Sequence, residues 1–289
     1  MSLRIVRTSP ELRAACELAR RAGESVALVP TMGALHEGHL ALVRQALERS
    51  RLVVVSIFVN PTQFGPGEDF ARYPRDLDSD LQKLQVLGDV LVFAPEHHEL
   101  YDVNEQTRVR VGALSEPLCG RFRPGHFEGV ATVVAKLFAI GAPCDAIFGR
   151  KDFQQLLIVR RMARDLLFPV EVHGHRIVRE ADGLAMSSRN RYLAPAERIR
   201  ALAIVRGLDA AARRFEAGER RTAELERTAR AALEAVATRI DYIEIRNAET
   251  LAPVGDAVDD RALFAVACYF GTTRLIDNVV LGEDPPPLG

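Results

Sequence analysis

The chain predicts a doubly wound α/β domain built on a parallel sheet, followed by a smaller C-terminal α+β domain. Three observations carry this prediction. Short apolar runs alternate with helical stripes through about residue 179, the pattern of strands joined by crossover helices. The segments Pro30-Thr31, Asn60-Pro61 and Gly149-Arg150 each follow such a run, where open parallel sheets bind ligands. Beyond Arg179 the chain turns to long Ala/Arg/Glu-rich helices and then to three strand patterns. A length of 289 residues suits two domains, set at 1–179 and 180–289, with the second acting as a lid.

Taken in order, Leu3 to Val6 reads as a strand. A helix then starts with Ser9 as N-cap and Pro10 in its first position, and stops before Gly23. Ser25 to Val29 is a buried strand, and Leu40 to Arg49 carries apolar residues at 40, 42, 43 and 47, a helical spacing. Strands come next at Leu52 to Val59, Val90 to Phe93 and Asp145 to Phe148, with helices near Asp76 to Leu87 and Glu128 to Ile140. The second part predicts helices near Pro195 to Ala217 and Thr222 to Ala237. Strands are expected there at Asp241 to Arg246, Leu263 to Tyr269 and Arg274 to Leu281, and Pro285 to Gly289 as a frayed tail.

The formal net charge of −1 gives no bulk electrostatic reason to bind nucleic acid or an anionic membrane, so a small-molecule partner is expected. Cys16, Cys119, Cys144 and Cys268 are scattered, without a CxxC pair, and read as buried thiols of a reducing compartment. Arg4, Arg7 and Arg13 interrupt any signal-peptide core, and no stretch is apolar enough to span a bilayer; a soluble cytoplasmic protein is expected. Lys and Arg together number 38, yet lysine occurs only at 83, 136 and 151, which makes each a candidate for a place where a compact ammonium is needed.

Pro30-Thr31-Met32-Gly33-Ala34-Leu35-His36-Glu37-Gly38-His39 is a strand-to-helix turn. Glycines permit close backbone approach, the helix N-terminus favours an anion, and His36 and His39 lie one turn apart, able to donate to a phosphate as charge grows on it. Two surface histidines or a structural cap would be the bland alternative. In Val59-Asn60-Pro61-Thr62-Gln63-Phe64-Gly65-Pro66, the neutral amides of Asn60 and Gln63 suit a hydroxyl or carboxylate, though Asn-Pro and Gly-Pro are also plain turn chemistry. Residues Gly65 to Arg75 form a candidate lid loop. Arg121 and Arg123 could each reach an anion or be solvated, and His126 reads as a helix-start or packing residue. Phe148 to Gln155 again runs from strand end into helix, with Lys151 as a point charge for phosphate, Asp152 as cap or ribose acceptor, and Gln155 on the first helical turn. Met186-Ser187-Ser188-Arg189 suits polyphosphate, or a polar linker. The GxxxxGK[ST] loop, the GxGxxG fingerprint and HExxH are missing, which disfavours P-loop NTPases and nicotinamide dehydrogenases. His173-Gly174-His175 has no partner at ligand spacing, so no metal site is expected.

PTMGALHEGH, FVNPTQFG, RPGHFEGVATVV, FGRKDFQQ and MSSRN occur in this order. On these motifs the chain resembles the pantoate–β-alanine ligases, a family of the HxGH nucleotidylyltransferase superfamily, over nearly its whole length. The resemblance implies a Rossmann-like first domain, a homodimer, and an AMP-forming ligation in which ATP and pantoate give pantoyl adenylate and pyrophosphate before β-alanine displaces AMP. It also implies that Met32, Gly33, Ala34, Leu35, His36, Glu37, Gly38 and His39 line the ATP site. His36 and His39 would stabilise the α-phosphate there, with His39 as the catalytic residue. Gly149, Arg150, Lys151, Asp152, Val178, Met186, Ser187, Ser188 and Arg189 would also contact ATP, whose phosphates Mg²⁺ bridges. Gln63 and Gln155 would hold pantoate, with Gln63 also near β-alanine.

Overall fold

Six strands, β1 (Arg4–Val6), β2 (Val26–Thr31), β3 (Leu52–Ile57), β4 (Val90–Phe93), β5 (Cys144–Gly149) and β6 (Val170–His175), pair in parallel in the order β1-β4-β3-β2-β5-β6. In this computed structural model, which describes residues 3–289, the helices are α1 (Ser9–Arg21), α2 (Glu37–Arg49), α3 (Leu77–Gln85), α4 (His97–Leu100), α5 (Cys119–Phe122), α6 (His126–Gly141), α7 (Phe153–Asp165), α8 (Pro195–Ala201), α9 (Ala203–Glu216) and α10 (Thr222–Leu233). The backbone forms two units. One takes the described residues up to Ser115 with Arg123–Arg150 and Gln155–Arg176; the other takes Glu116–Phe122, Lys151–Gln154 and Ile177–Gly289.

In the first unit β2, β3 and β4 are apolar nearly throughout because helices cover the sheet, and continuous burial selects Val, Leu and Ala. Ala27, Val29, Val53, Val55 and Val92 pack with Val43 and Ala46 of α2 and Leu84 of α3 in one core. From β2 the chain winds outward to β3, whereas from β5 it winds the other way to β6, so the order reverses between β2 and β5. That reversal opens a crevice at their carboxyl ends. The three loops expected there do end β2, β3 and β5, which are neighbours in the sheet.

Several elements depart from expectation. The tail expected to fray over Pro285 to Gly289 is instead held to α9, the Leu288 amide donating to Asp209 at 2.9 Å and Arg213 donating to the Gly289 carbonyl at 2.7 Å. Thr8, not Ser9, is the N-cap of α1. Its hydroxyl accepts from the Glu11 amide while the Glu11 carboxylate accepts from Thr8, a reciprocal capping pair. The edge strand β6 was not expected, because Glu171, His173 and His175 leave no apolar run; the half-open edge tolerates them. The helix expected over Pro195 to Ala217 is two, α8 and α9, where the Leu202 amide bonds three residues back to Ile199.

The second unit carries an antiparallel sheet, β7 (Arg239–Asn247), β8 (Ala262–Phe270) and β9 (Thr273–Leu281), in that order. Phe264 and Phe270 of β8 pack with Leu208 of α9 and Leu225 and Leu233 of α10. Gly207 lets α9 lie close to α10, since a Cβ there would stand 3.0 Å from the Ala229 carbonyl oxygen. All four cysteines are free thiols; three are buried and Cys144 is half-buried. No helix among the described residues is long and apolar enough to cross a membrane.

Candidate active site

In the first unit, the Thr31 hydroxyl ends β2 by donating to the Ser56 carbonyl at 2.7 Å and accepting the Gly33 amide at 3.2 Å. The chain then turns through two left-handed residues, Gly33 (φ 78°) and Ala34 (φ 52°). The amides of Ala34 and Leu35 donate to the buried carboxylate of Asp80, so these two are not offered to a ligand. His36 is the extended N-cap residue of α2, followed by Glu37, Gly38 and His39 in its first turn. The His36 and His39 rings lie 4.1 Å apart between centroids, tilted by 33°.

One hydrogen bond assigns the tautomer of His39. The His36 amide donates to its Nδ1 at 3.3 Å, so a neutral ring carries its proton on Nε2. His39 is therefore a donor at the atom away from the backbone.

Gln63, buried in the turn after β3, is oriented by a similar chain of constraints. The Asn60 carbonyl oxygen accepts from the Thr62 hydroxyl at 2.9 Å and from the Thr62 amide, which leaves the Asn60 NH₂ to donate to the Gly129 carbonyl and to Gln63 Oε1, both at 3.1 Å. Gln63 Nε2 then points at Met32 Sδ, 2.7 Å away. The amide thus offers N–H donors on the side of Met32, the chemistry a carboxylate or hydroxyl needs. Gly149 ends β5 opposite His175, Arg150 lies against Gly174, and Gln155 is half-buried in the first turn of α7.

Arg123, for which the sequence allows anion contact or solvation, binds Glu68 through two hydrogen bonds of 2.7 and 2.6 Å. His126, the first residue of α6, donates from Nδ1 to the Gln63 carbonyl at 2.8 Å and faces Arg123 Nη1 with Nε2 at 2.9 Å. Burial alone would raise the Glu68 carboxyl; the hydrogen bonds and charge of Arg123 outweigh it and hold it below the usual carboxylate range. Along the candidate lid loop Phe64 meets Phe70 and Tyr73 edge-on, and the Arg75 guanidinium lies over the Phe70 ring.

The second unit holds Lys151, Asp152, Val178 and Met186 to Arg189. Lys151 Nζ lies 3.6 Å from Asp152 Oδ2. The Val178 carbonyl accepts the Met186 amide at 3.0 Å, closing a short hairpin, and the Ser187 hydroxyl caps the turn carrying Ser188 and Arg189. Adjacent residues of β9 anchor both segments. Asp277 binds the Arg179 guanidinium at 2.7 and 3.2 Å, and Asn278 donates to the Lys151 carbonyl at 2.9 Å. Arg121 pairs with Glu244 in this unit.

Comparison with known proteins then decides the family. Residues 4–280 match the family described as pantoate-beta-alanine ligase. The chain belongs to this family. The pantothenate synthetase of Geobacter sulfurreducens is 52% identical over 98% of this chain and 100% of its own length. The crystal structure of pantothenate synthetase from Thermus thermophilus superposes with a TM-score of 0.90 at 51% identity, covering 96% of this chain and 98% of that one. A pantoate–β-alanine ligase from Francisella tularensis, solved with β-γ ATP and β-alanine, gives 0.80 at 30% identity over 99% and 100%.

For a pantoate–β-alanine ligase, the residues that sequence reasoning missed are those that hold the motifs in place. Asp80 had a signal. It shares a helix face with Leu77, Leu81 and Leu84, so a carboxylate stands on the apolar stripe of α3. Asp277 and Asn278 interrupt an apolar strand in the same way. The structure also brings Asp145 and Glu171 to His173, within 4.8 Å, a cluster the spacing did not reveal. Arg49 already lies there, 3.2 Å from His173 Nε2 and 3.6 Å from Asp145, and its positive charge opposes a cation.

Proposed function

We propose that this ligase joins pantoate to β-alanine in two steps. In the first, a pantoate carboxylate oxygen attacks the α-phosphorus of ATP, the bond to the β,γ-phosphates breaks, and pyrophosphate leaves. In the second, the β-alanine amine attacks the acyl carbonyl of pantoyl adenylate and AMP leaves, giving pantothenate. His36 and His39 donate hydrogen bonds to the α-phosphate oxygens as their charge grows, and His39 does so from Nε2. Gln63 and Gln155 hold pantoate, and Gln63 also meets β-alanine. Met32 to His39, Gly149 to Asp152, Val178 and Met186 to Arg189 take ATP, which enters with Mg²⁺ as its counter-ion. The chemistry is placement and charge stabilisation, and needs no covalent enzyme intermediate.

The observation that carries this reading is the imidazole pair at the start of α2, following the turn that holds Met32, together with a Gln63 amide locked with its donors toward Met32. The β-γ ATP and β-alanine bound by the Francisella ligase support it. The decisive test is isotope exchange from pyrophosphate into ATP. Exchange that requires pantoate and not β-alanine is expected, followed by free AMP when β-alanine is added. Absence of exchange with pantoate present overturns the adenylate step, and nucleotide retained in the product would indicate a nucleotidylyltransferase. We further place the protein in the cytoplasm, in keeping with its free thiols, and assign it a homodimer, for which light scattering should give the mass of two chains.

A further inference from the structure

We propose that Asp80 is the positioning residue of the His36–His39 pair, clamping the turn before α2 from below with Lys83 as its second jaw. The inference rests on the adenylation reading above. Asp80 is 1% exposed, and its two oxygens accept the consecutive amides of Ala34 at 2.8 Å and Leu35 at 2.7 Å. Lys83, one turn further along α3, donates to the Leu35 carbonyl at 2.9 Å and stands 3.6 Å from Asp80 Oδ1, balancing its charge. Three backbone groups of two successive residues are thus held by one face of one helix.

The held conformation is one the turn would not keep unaided. Ala34 has a left-handed φ, which a Cβ disfavours, and Gly33 must be glycine both for its own φ and because a Cβ there would stand 2.9 Å from Asp80 Oδ2. Buried amides need partners, and here the carboxylate is the partner that makes the left-handed turn the satisfied state. His36 comes directly after the clamped residues in the chain, and its amide sets the His39 tautomer. The clamp therefore acts on the reaction through geometry, without touching the phosphate. It also explains lysine at 83 in an arginine-rich chain, since a compact ammonium fits beside a carbonyl and a carboxylate on the same helix face.

The test compares wild type, Asp80→Asn and Lys83→Met, with folded fraction measured by circular dichroism. Two readouts are used: pyrophosphate-exchange kinetics per folded molecule, and the side-chain ¹⁵N shifts of His39. An asparagine keeps the size and loses one acceptor. Asp80→Asn should lower kcat about 10²-fold, the scale of a small misplacement of reacting groups, with KM for ATP within about threefold. His39 should change from the Nε2–H tautomer to a mixture. Lys83→Met should show the same signature at about tenfold in kcat. If Asp80→Asn does not fold, Lys83→Met decides alone. A kcat per folded molecule within about threefold of wild type in the folded variants overturns the proposal, as does an unchanged His39 tautomer. If wild type shows no pantoate-dependent exchange, the adenylation reading fails by itself. The His39 tautomer then decides the clamp, a mixture supporting it and no change overturning it.

Discussion

At the scale of single residues, His39 shows how a backbone bond becomes a chemical property. Its Nδ1 is used by the His36 amide, so the proton of the neutral ring is on Nε2 and the residue acts as a donor. Removing a donor aimed at growing charge affects rate more than binding. His39→Ala is expected to slow adenylate formation about 10²- to 10³-fold while ATP affinity, measured by calorimetry, changes by less than about tenfold. Equal losses would count against the role. That two histidines occur at this spacing was legible in the sequence. Their tautomer was not, because it depends on the turn bringing the His36 amide within hydrogen-bonding reach of the His39 ring.

At the scale of elements, α6 and the turn after β3 depend on each other. A Cβ on Gly129 would run into the Thr62 carbonyl and lie 2.7 Å from the Gln63 amide nitrogen, and backbone cannot step aside as a side chain can. Gly129→Ala should destabilise by about 1–3 kcal/mol in urea unfolding and displace Gln63, lowering kcat/KM for pantoate. The Glu68–Arg123 pair ties the loop beyond Phe64 to the start of α6, and its pKa shift has a defined sign. A carboxyl lowered on folding contributes stability that is whole above its ordinary value of 4.5 and is lost as pH falls through the lower folded value. Proteolysis of residues 64–75 should therefore accelerate below pH 4.5 in wild type, and Glu68→Gln should be cut faster already at neutral pH. Element type was legible wherever the apolar period was strong, as in β2 to β4. It failed at β6, an edge strand with polar residues, and at Leu202, where a local change of hydrogen-bond spacing leaves no compositional trace.

At the scale of the whole molecule, two motif segments far apart in sequence meet on one strand. Asn278 reaches the Lys151 carbonyl across 127 residues, and Asp277 reaches Arg179 across 98. Asn278→Ala removes a partly buried hydrogen bond worth about 1 kcal/mol and should raise KM for ATP about fivefold with kcat little changed, read from initial rates. The sequence by itself determined the alternation of strands and helices, the order of the motifs, and so the family, because each of these is written within a dozen neighbouring residues. Only the tertiary structure decided what aims the motifs: Asp80 beneath a turn 46 residues away, Asn60 setting the face of Gln63, and β9 holding Lys151 and Arg179. The physical reason is that apolar period and turn chemistry are local. The partner of a buried polar group is chosen by whichever distant side chain the fold brings within hydrogen-bonding reach.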